Sequence, residues 1–284
     1  MFFKIALCFF YFFSFLFFPL NLKSQERLIS LKPNITEIIF ALGKGKDLVG
    51  VTDFCKRPPE AAKLPKVADY LRVDLEKVLN LKPDLVLASY ENSARKDIEL
   101  GLINRGIRVE LLDFKTISQI KDSTLRLAKL LKQEEKGLSL VTKMQEGLDL
   151  LKKEYAQSPK RKALLVVGYR PLVVVGPDNF IDESLAYLNL ENVAAKSGQA
   201  YPLWDLERIL ASQPEIIVDL SMGSEKSRPE ILEERKAFWQ RLSTLPAVKK
   251  NQVFFFDIEK LRAVPTLPEA LEDLAKLILK KSLS

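Results

Sequence analysis

The chain has 284 residues, 47% of them hydrophobic and 29% charged, a composition that excludes a disordered or fibrous polymer and allows one large domain or two of ordinary size. Its net charge of +7, from 44 Lys and Arg against 37 Asp and Glu, is scattered along helical segments, so no basic stripe for nucleic acid is present. With no His, it lacks the means for a Ser–His or Cys–His nucleophile pair, or for a His-rich zinc or manganese site.

Residues 1–24 read as a secretory signal peptide. Lys4 precedes an apolar, Phe-rich run from Ile5 to Leu20, and Asn21, Lys23 and Ser24 follow. That run is about 16 residues, short of the roughly 20 a spanning helix needs. An uncleaved anchor is the alternative, because Leu22–Lys23–Ser24 fits the small-x-small cleavage rule poorly. Loss of Lys4 and Lys23 would lower the charge from +7 to +5 and leave Cys55 as the lone cysteine, with no disulfide to form.

Strand-length apolar runs then alternate with helical periodicity, the pattern of an α/β protein. Leu28–Leu31 predicts a strand, and Asn34 is placed to cap a helix over Ile35–Leu42 that stops at Gly43. Strands follow at Leu48–Val51, Leu85–Ala88 and Val109–Leu112, with a helix over Asn92–Arg105. From Ser118 to Gln157 the period is helical throughout, with a break near Gln133–Gly137. The second part, Glu134–Ala156, spaces Leu138, Val141, Met144, Leu148 and Leu151 by three or four. Alternation resumes with strands at Ala163–Val167, Leu172–Val175, Ile216–Leu220 and Val253–Phe256. Helices are predicted over Ile181–Leu188, Glu230–Leu242 and Pro268–Lys280.

A long helix between two α/β halves is either a fixed linker or an ordinary surface helix. An internal repeat favours the linker. The block from Asp74 to Ser89 (Asp-Leu-Glu-Lys-Val-Leu through Pro-Asp-Leu-Val) returns without a gap from Asp205 to Leu220 (Asp-Leu-Glu-Arg-Ile-Leu through Pro-Glu-Ile-Ile). The predicted organisation is an N-terminal α/β lobe over 25–132, a connecting helix over 133–158 and a C-terminal α/β lobe over 159–284. In the repeat, Asp74 and Asp205 can cap their helices, leaving Glu76 and Glu207 in the first turn. Those glutamates serve either to stabilise the helix or as a matched pair of surface anchors.

The chain resembles the periplasmic binding proteins of cobalamin, haem and ferric-siderophore ABC importers, and its cobalamin branch most. The resemblance rests on Leu28-Ile-Ser-Leu-Lys-Pro-Asn-Ile-Thr-Glu, Leu48-Val-Gly-Val-Thr, Pro58-Pro-Glu-Ala, Leu64-Pro-Lys-Val, both repeat copies, Trp239, and Leu245-Pro-Ala-Val-Lys. It implies two similar α/β lobes joined by a long rigid helix, the class III arrangement, with the ligand in the cleft between them. It further implies permease docking through Glu76 and Glu207. Aromatic and basic residues after the strands, namely Phe54, Tyr70, Tyr90, Tyr169, Arg170, Tyr201 and Trp204, are the expected ligand contacts. Tyr70, Ser89 and Tyr201 stand where the cobalamin branch commonly has Trp. The ligand implied is a cobalamin-type corrinoid carried as cargo rather than as cofactor, with haem or a ferric siderophore as the alternative and a tyrosine as the haem's axial ligand. A monomeric, non-enzymatic periplasmic protein is expected; Gly43-Lys-Gly-Lys lacks the spacing of a phosphate loop.

Overall fold

The computed structural model describes residues 26–69, 72–91, 98, 100–221 and 229–279. The apolar leader, Tyr70 and half of the Asn92–Arg105 helix lie outside the described residues. Among the described residues no helix is long and apolar enough to cross a membrane.

The first lobe is built on five parallel strands: β1 (Leu28–Ser30), β2 (Leu48–Thr52), β3 (Lys66–Ala68), β4 (Leu85–Ser89) and β5 (Val109–Leu112). Their order across the sheet is β3-β2-β1-β4-β5, so the chain runs outward one way from β1 and then returns to its other side. In open α/β sheets such a reversal opens a crevice at the carboxyl ends of the strands. Helices α1 (Pro33–Ala41), α2 (Pro59–Ala62) and α3 (Leu75–Asn80) connect these strands. The cap of α1 differs from expectation. Pro33 takes the first helical position behind Lys32, and Asn34 is buried inside the first turn, where its Oδ1 accepts from Ile35 N at 3.0 Å. Proline's fixed φ suits that position and removes one of the donors a cap would have satisfied.

Two helices follow: α4 (Ile117–Leu130), opened by a Thr116–Gln119 capping box, and α5 (Glu134–Tyr155). The expected break falls between them, where Lys132 adopts φ 55°. At 22 residues α5 extends about 33 Å. It packs against α4, and also against α6 (Phe180–Tyr187) and α10 (Leu267–Leu279) of the second lobe.

That second lobe holds β6 (Arg161–Gly168), β7 (Val173–Val174), β8 (Leu190–Asn192), β9 (Ile216–Asp219) and β10 (Val253–Phe255), with α7 (Leu206–Ser212), α8 (Pro229–Gln240) and α9 (Pro246–Lys249). Its order is β10-β9-β6-β7, with β8 also on β6, and only β7 runs antiparallel. The sequence passes over β3, β8, α2 and α9, each of three or four residues. Elements that short carry less than one period of any pattern.

The two copies of the repeat share their cap hydrogen bond and the turn that ends the helix. Asp74 Oδ1 accepts from Lys77 N at 3.0 Å, and Asp205 Oδ1 from Arg208 N at 2.7 Å. Lys82 and Gln213, 131 positions apart, both adopt left-handed backbone (φ 44° and 47°) before the helix-ending proline. The acid after each proline ties its strand to the neighbouring chain. Asp84 Oδ2 accepts from Arg27 N at 2.7 Å, and Glu215 Oε2 from Lys162 N at 3.0 Å.

Alternate residues of the central strands face different cores. Leu85 and Leu87 of β4, with Ile216 and Val218 of β9, join one buried cluster that also takes in α4, α5, α6 and α10. Val86 and Ala88 face a second cluster confined to the first lobe, and Ile217 faces a third confined to the second. Both lobes therefore share one continuous apolar layer on the side of the long helix.

Candidate ligand cleft

Between the lobes lies a cavity of about 750 Å³. From the first lobe it is lined by residues at or just beyond the carboxyl ends of strands: Leu31 and Lys32 after β1, Thr52 and Phe54 of β2 and its loop, Asp69 after β3, Glu91 after β4. Parallel strands place these chain ends at one edge of the sheet, so residues far apart in sequence converge. The second lobe supplies Asn179 and Phe180 at the head of α6, Ala200 and Tyr201, and Ile258, Glu259, Arg262 and Ala263 after β10. Phe114 and Lys115 lie between the lobes' contributions along the chain. Asn179 holds the head of α6 by accepting from Ile181 N and Asp182 N at 3.1 Å each.

One border of the cleft is closed by ion pairs across the lobes. Arg262 Nη1 lies 3.0 Å from Glu37 Oε1, and its Nη2 meets Glu259. Arg57 Nε sits 3.7 Å from the same Glu37 oxygen, while its Nη2 donates to the carbonyl of Glu259. Asn34 Nδ2 adds a bond to the carbonyl of Ala263 at 3.4 Å. Burial pushes the Glu37 carboxyl above the ordinary glutamate pKa, with Arg262 and Arg57 pulling against it. On the other border Lys32 Nζ pairs with Glu91 Oε2 at 2.7 Å.

Of the expected ligand contacts, Phe54 and Tyr201 stand on this cavity, and each is 47% exposed. Burial of the Tyr201 hydroxyl end, together with the charge of Glu91 opposite, pushes its phenol pKa up. Tyr90 is half-exposed beside Glu91 without lining the cavity. Tyr169, Arg170 and Trp204 are elsewhere. The Tyr169 ring stacks on Arg235, whose guanidinium carbon lies 3.4 Å from the ring centroid, and meets Phe238 edge-on at 5.1 Å. Arg170 is exposed and faces Glu234 at 3.5 Å. Trp204 is a core residue, 6% exposed in the second lobe's own cluster, with Arg208 over its ring at 4.7 Å. The antiparallel bridge between Val173 and Leu203 fixes the chain so that Leu203 points out and Trp204 in.

Lys32, Asn34, Glu91, Phe180 and Arg262 are cleft residues that sequence reasoning missed. Lys32 and Glu91 had a usable signal, since each is within three residues of a predicted strand's end. Arg262 had none, because only the meeting of the lobes brings it beside Glu37. Among the described residues no group of His, Cys, Asp and Glu could hold a metal ion. Cys55 is fully buried, its Sγ 3.1 Å from Thr36 Oγ1 and 3.2 Å from Thr52 Oγ1.

A family model described as periplasmic binding protein matches residues 28–259. The chain belongs to that family. Among its relatives, the vitamin B12-binding protein of Salmonella typhimurium is 31% identical over 237 residues, spanning 84% of this chain and 86% of the other. That of Pectobacterium atrosepticum is 30% identical over 235 residues, spanning 81% and 82%. The crystal structure of the periplasmic vitamin B12 binding protein BtuF of Vibrio cholerae matches with a TM-score of 0.77 at 26% identity, covering 91% of this chain and 98% of that one. The periplasmic heme-binding protein RhuT from Roseiflexus sp. RS-1 has the same TM-score at 24% identity, covering 88% and 97%, and so shares the fold. These similarities place the binding protein in the two-lobed class III architecture, with a sheet in each lobe and α5 packed on both.

Proposed function

We propose that this binding protein is exported, with residues 1–24 removed, and captures a cobalamin-type corrinoid in the interlobe cleft. It then delivers the corrinoid, as a monomer, to the permease of an ABC importer, which it meets through Glu76 on one lobe and Glu207 on the other. The observation that carries the ligand assignment is the cleft itself: about 750 Å³ between the lobes, with Phe54, Phe180 and Tyr201 on its walls. Aromatic rings offer a flat macrocycle wide contact with little rotamer entropy to lose. The relatives at 30 and 31% identity, named as vitamin B12-binding proteins, support the same ligand. The corrinoid is cargo, and the chain needs no resident cofactor to hold it.

Haem is the second reading, supported by the fold shared with heme-binding proteins and by a tyrosine on the cleft. A tyrosine ligates ferric haem as a phenolate. The relatives at 30 and 31% identity, named for vitamin B12, weigh toward the corrinoid. Calorimetric titration of residues 25–284 with cyanocobalamin and with hemin decides between them. Cyanocobalamin is expected to bind the more tightly. Tight hemin binding beside micromolar or weaker cobalamin binding would overturn the assignment.

A further inference from the structure

The inference rests on the reading of the cleft as a corrinoid site and concerns the rim chemistry that this site accepts. Lys32 stands at the head of α1, where the positive end of the helix disfavours a cation. Its ammonium reaches across to the end of β4, 2.7 Å from Glu91 Oε2, and also donates to Ser89 Oγ at 3.3 Å. Both members of the pair line the cavity. Around the cleft as a whole Lys32, Lys115 and Arg262 are matched by Asp69, Glu91 and Glu259, so the described lining carries no net charge. Arg262 is already engaged by Glu37 and Glu259.

A carboxylate entering this wall must either displace Glu91 from Lys32 or lie beside a like charge, having lost its own hydration. A carboxamide meets neither obstacle. Its oxygen can accept from the Lys32 ammonium and its NH₂ can donate to Glu91, with the ion pair intact. We propose that Glu91, held by Lys32, is the specificity residue of the cleft, admitting flat macrocycles rimmed with carboxamides and rejecting the same macrocycle carrying carboxylates. Specificity here comes from a repulsive element as much as from an attractive one.

The test titrates the exported protein with cyanocobalamin and with each isomer in which a single propionamide has been hydrolysed to the acid. Wild type is expected to bind at least one acid isomer about tenfold more weakly than the amide, the scale of one unfavourable charged contact. Glu91→Gln frees the Lys32 cation and narrows or inverts that ratio. Lys32→Gln leaves Glu91 without its cation and widens it. A merely structural role would weaken amide and acid alike and leave the ratio in place. Equal affinity of wild type for the amide and every acid isomer, or variants that move the ratio in the same direction, would overturn the inference and leave the corrinoid reading standing. A wild-type protein that binds no corrinoid would overturn that reading and the inference with it.

Discussion

Single residues decide where charge can be tolerated inside this fold. Asp219, fully buried at the end of β9, accepts from Arg235 Nη2 at 2.5 Å, from Trp239 Nε1 at 2.7 Å and from Ser221 Oγ at 2.6 Å. Arg235 is 2% exposed, and among the described residues its Nε and Nη1 have no hydrogen-bond partner. Tyr169 stacked on the guanidinium covers a face that would otherwise meet water. Asp219→Ala would leave that cation buried without its counter-charge, which costs about 3–5 kcal/mol. Urea unfolding should register this as a fall in midpoint, and adding Arg235→Met should recover much of it, because an apolar pair of similar volume needs no compensation. None of this was legible in the sequence. Tyr169 and Arg170 read as ligand contacts because they follow a strand, but their actual neighbours come from α8, some 65 positions on.

Helices and strands, by contrast, were largely written in the local pattern. Helix grammar located Asp74 and Asp205 as caps, and continuous apolar runs of strand length located β4 and β9. Close approach between elements was not legible, because it depends on what lies opposite. Gly137 is the clearest case. A Cβ built there would lie 2.2 Å from the Cβ of Ala128, so the first turn of α5 rides directly on α4. Alanine ordinarily favours a helix over glycine by about 1 kcal/mol. Gly137→Ala should nonetheless destabilise the protein, by about 1–3 kcal/mol, as overpacking forces the two helices apart. Thermal unfolding checks the sign, and a raised melting temperature would show that α4 yields freely.

At the scale of the whole molecule, the apolar layer shared by both lobes and the long helix argues for small relative motion of the lobes. In the docking proposed above, the permease would meet two rigidly spaced carboxylates. Glu76 and Glu207 are both exposed in the first turn of equivalent helices, one per lobe. Contacts of this kind favour orientation and on-rate over affinity. Glu76→Ala combined with Glu207→Ala should abolish uptake in cells while leaving corrinoid affinity within about twofold, since surface charges distant from a site couple to it weakly. A loss of affinity in calorimetry would instead put those residues in the cleft.

The sequence by itself determined the alternation of strands and helices, the position of the long helix, and the duplication that makes two lobes. Each of these is carried by neighbours within a few turns of chain, where capping, periodicity and helix-ending prolines act. Only the tertiary structure decided which aromatic residues face the cleft. Trp204 and Tyr201 are three residues apart and alike in composition, yet one is buried in the second lobe and the other borders the cavity. It also decided that the charges of the cleft are paired: Lys32 with Glu91, and Arg262 with Glu37 across the lobes. Those partners are brought together by sheet order and lobe apposition, which no local pattern encodes.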